Sequence, residues 1–229
     1  MSLGDAVNAY CERQGPQWYA EPLNALSNVA FFYWAWRLWR HAREGNTRVA
    51  RAQRWLAFLL ALVGAGSLVF HTVATVWGGI LDVLFIGIFN VAYLMIFLRL
   101  VAAWPLALAV AGGVAFVALD RGAAAVLPAD ALNGSVLYAP ALAVLGLISV
   151  YAVLRAPAVG HRMAIAAAVF CVSLLARTLD QTLCPSWPAG THFAWHLLNA
   201  WVLYAMSRAL AGAISSAEES NQDSGRVRA

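Results

Sequence analysis

Residues 55–76 read WLAFLLALVGAGSLVFHTVATV, a run without a single Asp, Glu, Lys or Arg. At about 1.5 Å per residue such a helix is about 33 Å long, enough to cross the ~30 Å hydrocarbon core of a bilayer. Two side chains in it, Ser67 and His71, are out of place in hydrocarbon. They are four residues apart, so one helix face carries both. The rest of the 229-residue chain has the same character: 62% hydrophobic, 11% charged and a mean hydropathy of +0.68. A soluble domain is about 45–50% apolar and about 25% charged. So little charge excludes a soluble enzyme, a disordered tail protein and a disulfide-rich secreted module, and leaves a polytopic membrane protein.

Working outward, six more apolar runs follow the same pattern: 23–39, 80–100, 104–119, 136–154, 163–178 and 191–210. Hydrocarbon offers no partner to backbone N–H and C=O groups, so the runs are helices. The expected fold is all-α, a seven-transmembrane-helix bundle. Residues 1–22 form an extracytosolic N-terminal segment, 23–211 the bundle and 212–229 a disordered cytosolic tail. Gly78-Gly79 marks a tight turn, and Asp120 to Gly134, with Pro128 and Asn133-Gly134, reads as a loop with a short amphipathic piece. No basic stretch followed by an apolar run precedes Pro22, so no cleavable signal is expected.

All fifteen basic residues are Arg. Arg37, Arg40, Arg43, Arg48, Arg51, Arg54, Arg99, Arg155, Arg162, Arg208, Arg226 and Arg228 fall on one side of the expected bundle. Arg13, Arg121 and Arg177 fall on the other. Cytoplasmic loops collect Arg, which puts the N-terminus outside and the C-terminus in the cytosol. No basic stripe with interleaved aromatics exists, so nucleic acid is not an expected partner. Arg-only basic usage with high Ala content points to a GC-rich bacterial source, hence a bacterial inner membrane.

Ionisable groups within spans are costly and mark function. Ser67 and His71 lie toward the outer end of the second run, Asp82 near the outer start of the third, and His192 and His196 open the seventh. His192 and His196 are again four apart. Three imidazoles at one depth suit zinc, which takes three His and keeps a position open for water in hydrolytic sites. The metal lowers the pKa of that water to about 7. Asp82 is then a general base and Ser67 a donor to the developing oxyanion. The other two histidines, His41 and His161, sit in cytosolic loops as solvated residues.

A second polar cluster, Glu21, Asn24, Ser27 and Asn28, reads as a seam joining helices. Tyr10, Glu12 and Gln14 alternate just before Glu21, a set of oxygen donors that suits calcium. Cys11 and Cys184 both fall outside, where a disulfide is permitted. Cys171 lies deep in the sixth run as a packing residue. Arg177 and Asp180 are three apart and read as a structural ion pair.

Together, Cys11-Glu12, Glu21-x-x-Asn24-x-x-Ser27-Asn28, Ser67-x3-His71, Asp82, Asp180-x3-Cys184 and His192-x3-His196 resemble the alkaline ceramidases. That family belongs to a superfamily of seven-helix membrane hydrolases that also holds the progestin and adiponectin receptors. The resemblance runs from about Cys11 to Tyr204. It implies zinc on His71, His192 and His196, with Ser67 and Asp82 assisting hydrolysis of a ceramide amide to sphingoid base and fatty acid. It also implies a Cys11–Cys184 disulfide and calcium on Tyr10, Glu12, Gln14 and Glu21. Here the sequence departs from the family pattern: Ala9 stands for an Asp, Tyr10 for Trp and Gln14 for Asn, and the gap to Glu21 is shorter. The expected activity is therefore a zinc-dependent amidase acting on ceramide or another N-acyl membrane lipid. The alternatives are a receptor-like member with a structural zinc site and a proton-coupled transporter.

Overall fold

A computed structural model describes residues 2–42 and 47–226, with side chains through 216. Arg43 and Arg228, counted above among the cytosolic arginines, and the last three tail residues lie outside them. Among the described residues the chain forms eight α-helices and one 3-10 helix, with no strand. They are α1 (Pro22–Ser27), α2 (Val29–Ala42), α3 (Arg48–Val73), α4 (Val76–Leu100), α5 (Leu106–Val126), α6 (Ala139–Arg155), α7 (Pro157–Leu183) and α8 (His192–Arg226). The 3-10 helix (Ala131–Tyr138) leads into α6.

Six helical stretches are long and apolar enough to span a membrane: α3, α4, α5, the 3-10 helix with α6, α7, and α8 as far as Ser216. The chain is an integral multi-pass membrane protein. The first expected span is split in two. Ser27 Oγ and Asn28 Nδ2 both donate to the Asn24 carbonyl, at 2.8 Å each. Such local bonds compete with the helical ladder. Asn28 keeps helical dihedrals (φ −63°, ψ −17°), so α2 continues from α1 after the irregularity.

Neighbours in sequence pack side by side from α2 to α8, and α8 returns to pack on α2, α3 and α4. In the most apolar stretch of each span, 56% of α8 is buried inside the protein against 17% of α5. Helix α8 is therefore the central post and α5 faces lipid. The inward stripe of α3 holds Leu56, Leu60, Val63, Gly64, Ser67 and His71. A Cβ on Gly64 would meet Phe31 Cβ at 2.6 Å, so the missing side chain lets α2 and α3 close up.

Three boundaries differ from the sequence reading. The turn before α4 is at Ala74 and Thr75, not Gly78-Gly79. Ala74 adopts φ 44°, and Thr75 Oγ1 accepts from Gly78 N as the N-cap of α4. Helix α5 runs on through Asp120 and Arg121 to Val126, because Ala123, Ala124 and Ala125 favour helix and nothing stops it until Pro128 approaches. Helix α8 continues to Arg226, through the stretch whose polar composition predicts a disordered tail. Cys171 is exposed on the bundle surface and is not a packing residue.

Candidate metal centre

Four short structural devices bring the polar side chains together. Ser67 and His71 lie on the buried stripe of α3, one turn apart at its C-terminal end. Asp82 follows on the second turn of α4, within interaction range of His71 and Ser67. Its Oδ1 is enclosed and makes no hydrogen bond among the described residues. Helix α8 opens on His192 and presents His196 one turn later. The N-terminal segment pairs across the α3–α4 turn, with Val7 N donating to Ala74 O at 2.8 Å and Val76 N to Asp5 O at 3.1 Å.

His71, His192 and His196 are each no more than 1% exposed. One ligand atom from each lies within 4.8 Å of the other two. Each ring is oriented by a neighbour. His71 Nδ1 meets Glu21 Oε2 at 2.5 Å, and His196 Nδ1 meets Ser27 Oγ at 2.7 Å. The Tyr10 ring stacks on His192 with centroids 3.6 Å apart. Ser67 Oγ lies 3.3 Å from His196 Nε2.

This leaves His71 Nε2 and His192 Nδ1 buried with no hydrogen-bond partner among the described residues. An unsatisfied buried polar atom costs about 1–3 kcal/mol. A metal ion among the three rings removes that cost, and three imidazoles with no thiolate suit zinc. The residues therefore fit a zinc ion. The Glu21–His71 contact is the outer support metal-bound histidines usually have, fixing tautomer and ring direction.

Glu21 has further partners. Arg13 Nε donates to its Oε1, and Asn24 Nδ2 to Oε2 at 3.0 Å. Burial pushes the Glu21 carboxyl up, but the bonds from His71, Arg13 and Asn24 outweigh it and hold it below the usual carboxylate range. Arg13 also donates to the carbonyls of Gly15, Gln17 and His71, at 3.1, 3.2 and 3.0 Å.

The four residues read as calcium ligands are each engaged within the protein. Glu12 accepts from the backbone N–H groups of Leu23 and Asn24, at 2.6 and 2.8 Å, and so caps α1. Gln14 Nε2 donates to Cys11 O at 2.8 Å. The Tyr10 ring is taken up by His192, and Glu21 by Arg13 and His71. The positive charge in this corner is the buried Arg13 guanidinium.

Asp180 has a different role from the expected ion pair. Its Oδ1 accepts from the N–H groups of Thr191 and His192, at 2.8 and 2.9 Å, and Oδ2 from Cys11 N at 2.9 Å. It caps the helix that carries both α8 histidines. Arg177 turns away to Asn133, whose Nδ2 donates to the Arg177 carbonyl at 2.9 Å. Gly190 (φ 64°) precedes this cap, and a Cβ there would strike Asp180 and Cys11. A disulfide joins Cys11 to Cys184 and ties the N-terminal segment to the end of α7.

The three His, Ser67 and Asp82 singled out in the sequence are brought together by the fold. Sequence reading did not find Arg13, and it missed the capping role of Asp180 and the contact of Ser27 with His196. Spacing on one helix gives no sign of a partner from another part of the chain.

Fold and site together define a multi-pass membrane protein with a buried three-histidine centre flanked by a carboxylate and a hydroxyl. The family model described as Ceramidase matches residues 6–227, and the chain belongs to that family. No curated protein and no solved structure matches it. Membership implies a ceramidase-like, metal-dependent hydrolase of amide bonds acting on a lipid.

Proposed function

We propose that the chain is a zinc-dependent intramembrane amidase that cleaves ceramide or a related N-acyl lipid to a sphingoid base, or other amine, and a fatty acid. The observation that carries this reading is the set of three buried imidazoles within 4.8 Å of one another, with Ser67 and Asp82 beside them.

His71, His192 and His196 would hold the metal. Zinc, when bound, supplies a Lewis acid that polarises a carbonyl and makes water acidic enough to attack it. Asp82 accepts the proton of the attacking water at Oδ1 and passes it to the amide nitrogen as the C–N bond breaks. Ser67 Oγ donates a hydrogen bond to the carbonyl oxygen as negative charge gathers there. Burial of the cluster excludes bulk water and strengthens each of these contacts.

An apolar cavity of about 70 Å³ lies among α4 to α8, walled by side chains such as Phe89, Leu94, Phe116, Val144 and Leu203. A lipid chain fits that chemistry. In this reading α1 and α2 together make the seventh span, residues 1–22 face the outside, and the C-terminus lies in the cytosol of a bacterial cell.

The test is release of fatty acid from a panel of N-acyl sphingoid lipids by the purified protein. Asp82→Asn, which cannot take the proton, is expected to lower kcat by roughly 10²–10⁴. Unchanged turnover in that variant would sink the mechanism.

A further inference from the structure

Four polar side chains line the otherwise apolar cavity: Asn90 and Tyr93 on α4, Tyr138 where the 3-10 helix ends, and Asn199 on α8. Two are accounted for. Tyr93 Oη donates to the Met206 carbonyl at 3.2 Å. The Arg177 guanidinium lies over the Tyr138 ring at 5.7 Å and interacts with its hydroxyl. The other two are not. Neither the Asn90 nor the Asn199 amide finds a hydrogen-bond partner among the described residues. Asn199 is only 3% exposed, and what it faces is the cavity.

Asn90 is half-buried and neither amide is fully enclosed, so a molecule in the cavity can reach both and satisfy them. An apolar chain alone would leave both amides unpaired. Asn199 follows His196 by three residues, so it lies about 4.5 Å farther along α8 at about 1.5 Å per residue. A group bonded to it therefore sits only a few atoms from a carbonyl held at the three imidazoles. An amide side chain donates and accepts, so its natural partner is a hydroxyl, which does both. No charged side chain lines the cavity, so a charged headgroup does not suit it.

We infer that Asn199 and Asn90 form a hydroxyl-reading pair, selecting N-acyl lipids that carry a hydroxyl within a few carbons of the scissile amide over lipids that lack one. The inference rests on the amidase reading for its substrate, but binding tests it independently of turnover. A site built to bond a hydroxyl rejects the analogue without it, because its own polar groups are then left unpaired.

The experiment compares two probes of equal chain length, N-oleoyl-sphinganine and N-oleoyl-octadecylamine, binding to the full chain in lipid nanodiscs, with hydrolysis followed in parallel. Wild type is expected to bind the hydroxylated probe roughly ten- to a hundredfold more tightly. Asn199→Leu is expected to bring that ratio near one by weakening the hydroxylated probe alone. Asn90→Leu, which lies on a different helix, is expected to lower the ratio part of the way and serves if Asn199→Leu does not fold. Equal binding of both probes by wild type, or an unchanged ratio in the variants, would overturn the inference. A clear binding ratio without hydrolysis of either probe would instead count against the amidase reading and leave the hydroxyl-reading pair standing.

Discussion

The outer end of the bundle and the cavity beneath it treat polar groups in opposite ways. At the outer end the buried polar side chains are tied into one network. Arg13 spends its donors on Glu21 and three backbone carbonyls, Glu21 bonds His71 and Asn24, and Asp180 accepts from three N–H groups. Among the described residues, the buried atoms left over there are His71 Nε2, His192 Nδ1 and Asp82 Oδ1, assigned to metal and proton, together with Asn24 Oδ1, Asn28 Oδ1 and Arg177 Nε. In the cavity the walls are apolar, and the two asparagine amides have no hydrogen-bond partner among the described residues. The contrast teaches where this protein keeps rigidity and where it keeps room. Saturated networks hold rings in place, while unsaturated groups mark what a ligand must supply.

The sharpest way to break the comparison is at Glu21. Glu21→Leu strands the buried Arg13 guanidinium and frees the His71 ring. Loss of one partner of a buried ion pair costs about 3–5 kcal/mol, and loss of outer support weakens metal binding by roughly 10–100-fold. Denaturant unfolding in detergent and zinc titration read the two effects separately. A smaller effect is expected at Gly190. An Ala there must hold φ near 64° and push on Asp180, so a loss of roughly 1–3 kcal/mol is expected in the same unfolding assay. The smallest effect on stability is expected in the cavity wall. Ala141→Leu fills open space, and cavity filling commonly changes stability by only about 0.5–2 kcal/mol, in the stabilising direction. Its mark should be a shift toward shorter acyl chains in a competition assay.

The two regions were also unequally legible in the amino-acid sequence. Ser67, His71, Asp82, His192 and His196 stand out because polar residues are rare in apolar runs, and four-residue spacing shows which share a face. The expected chemistry at the three histidines rests on that alone. Arg13 was invisible as a site residue, since an arginine in a polar N-terminal segment looks solvated until the fold buries it against Glu21. Asp180 looked like a partner for Arg177 because they are neighbours on one helix, yet the N–H groups of Thr191 and His192 compete better for its carboxylate. The break at Asn28 follows from two side chains bonding one carbonyl, a detail below the resolution of hydropathy. Helix α5 extends past Asp120, where Pro128 and Asn133-Gly134 make the sequence read as a loop, because its alanines carry the helix on to Val126.

The central claim is that His71, His192 and His196 hold a zinc ion on which lipid amide hydrolysis depends. The most direct measurement is fatty acid release from an N-acyl sphingoid lipid by chelator-stripped protein as zinc is returned stepwise, with calcium returned to a parallel sample. The account predicts negligible release without metal, full recovery at one zinc per chain, and no recovery with calcium. Full activity in the stripped protein, or recovery by calcium alone, would contradict it.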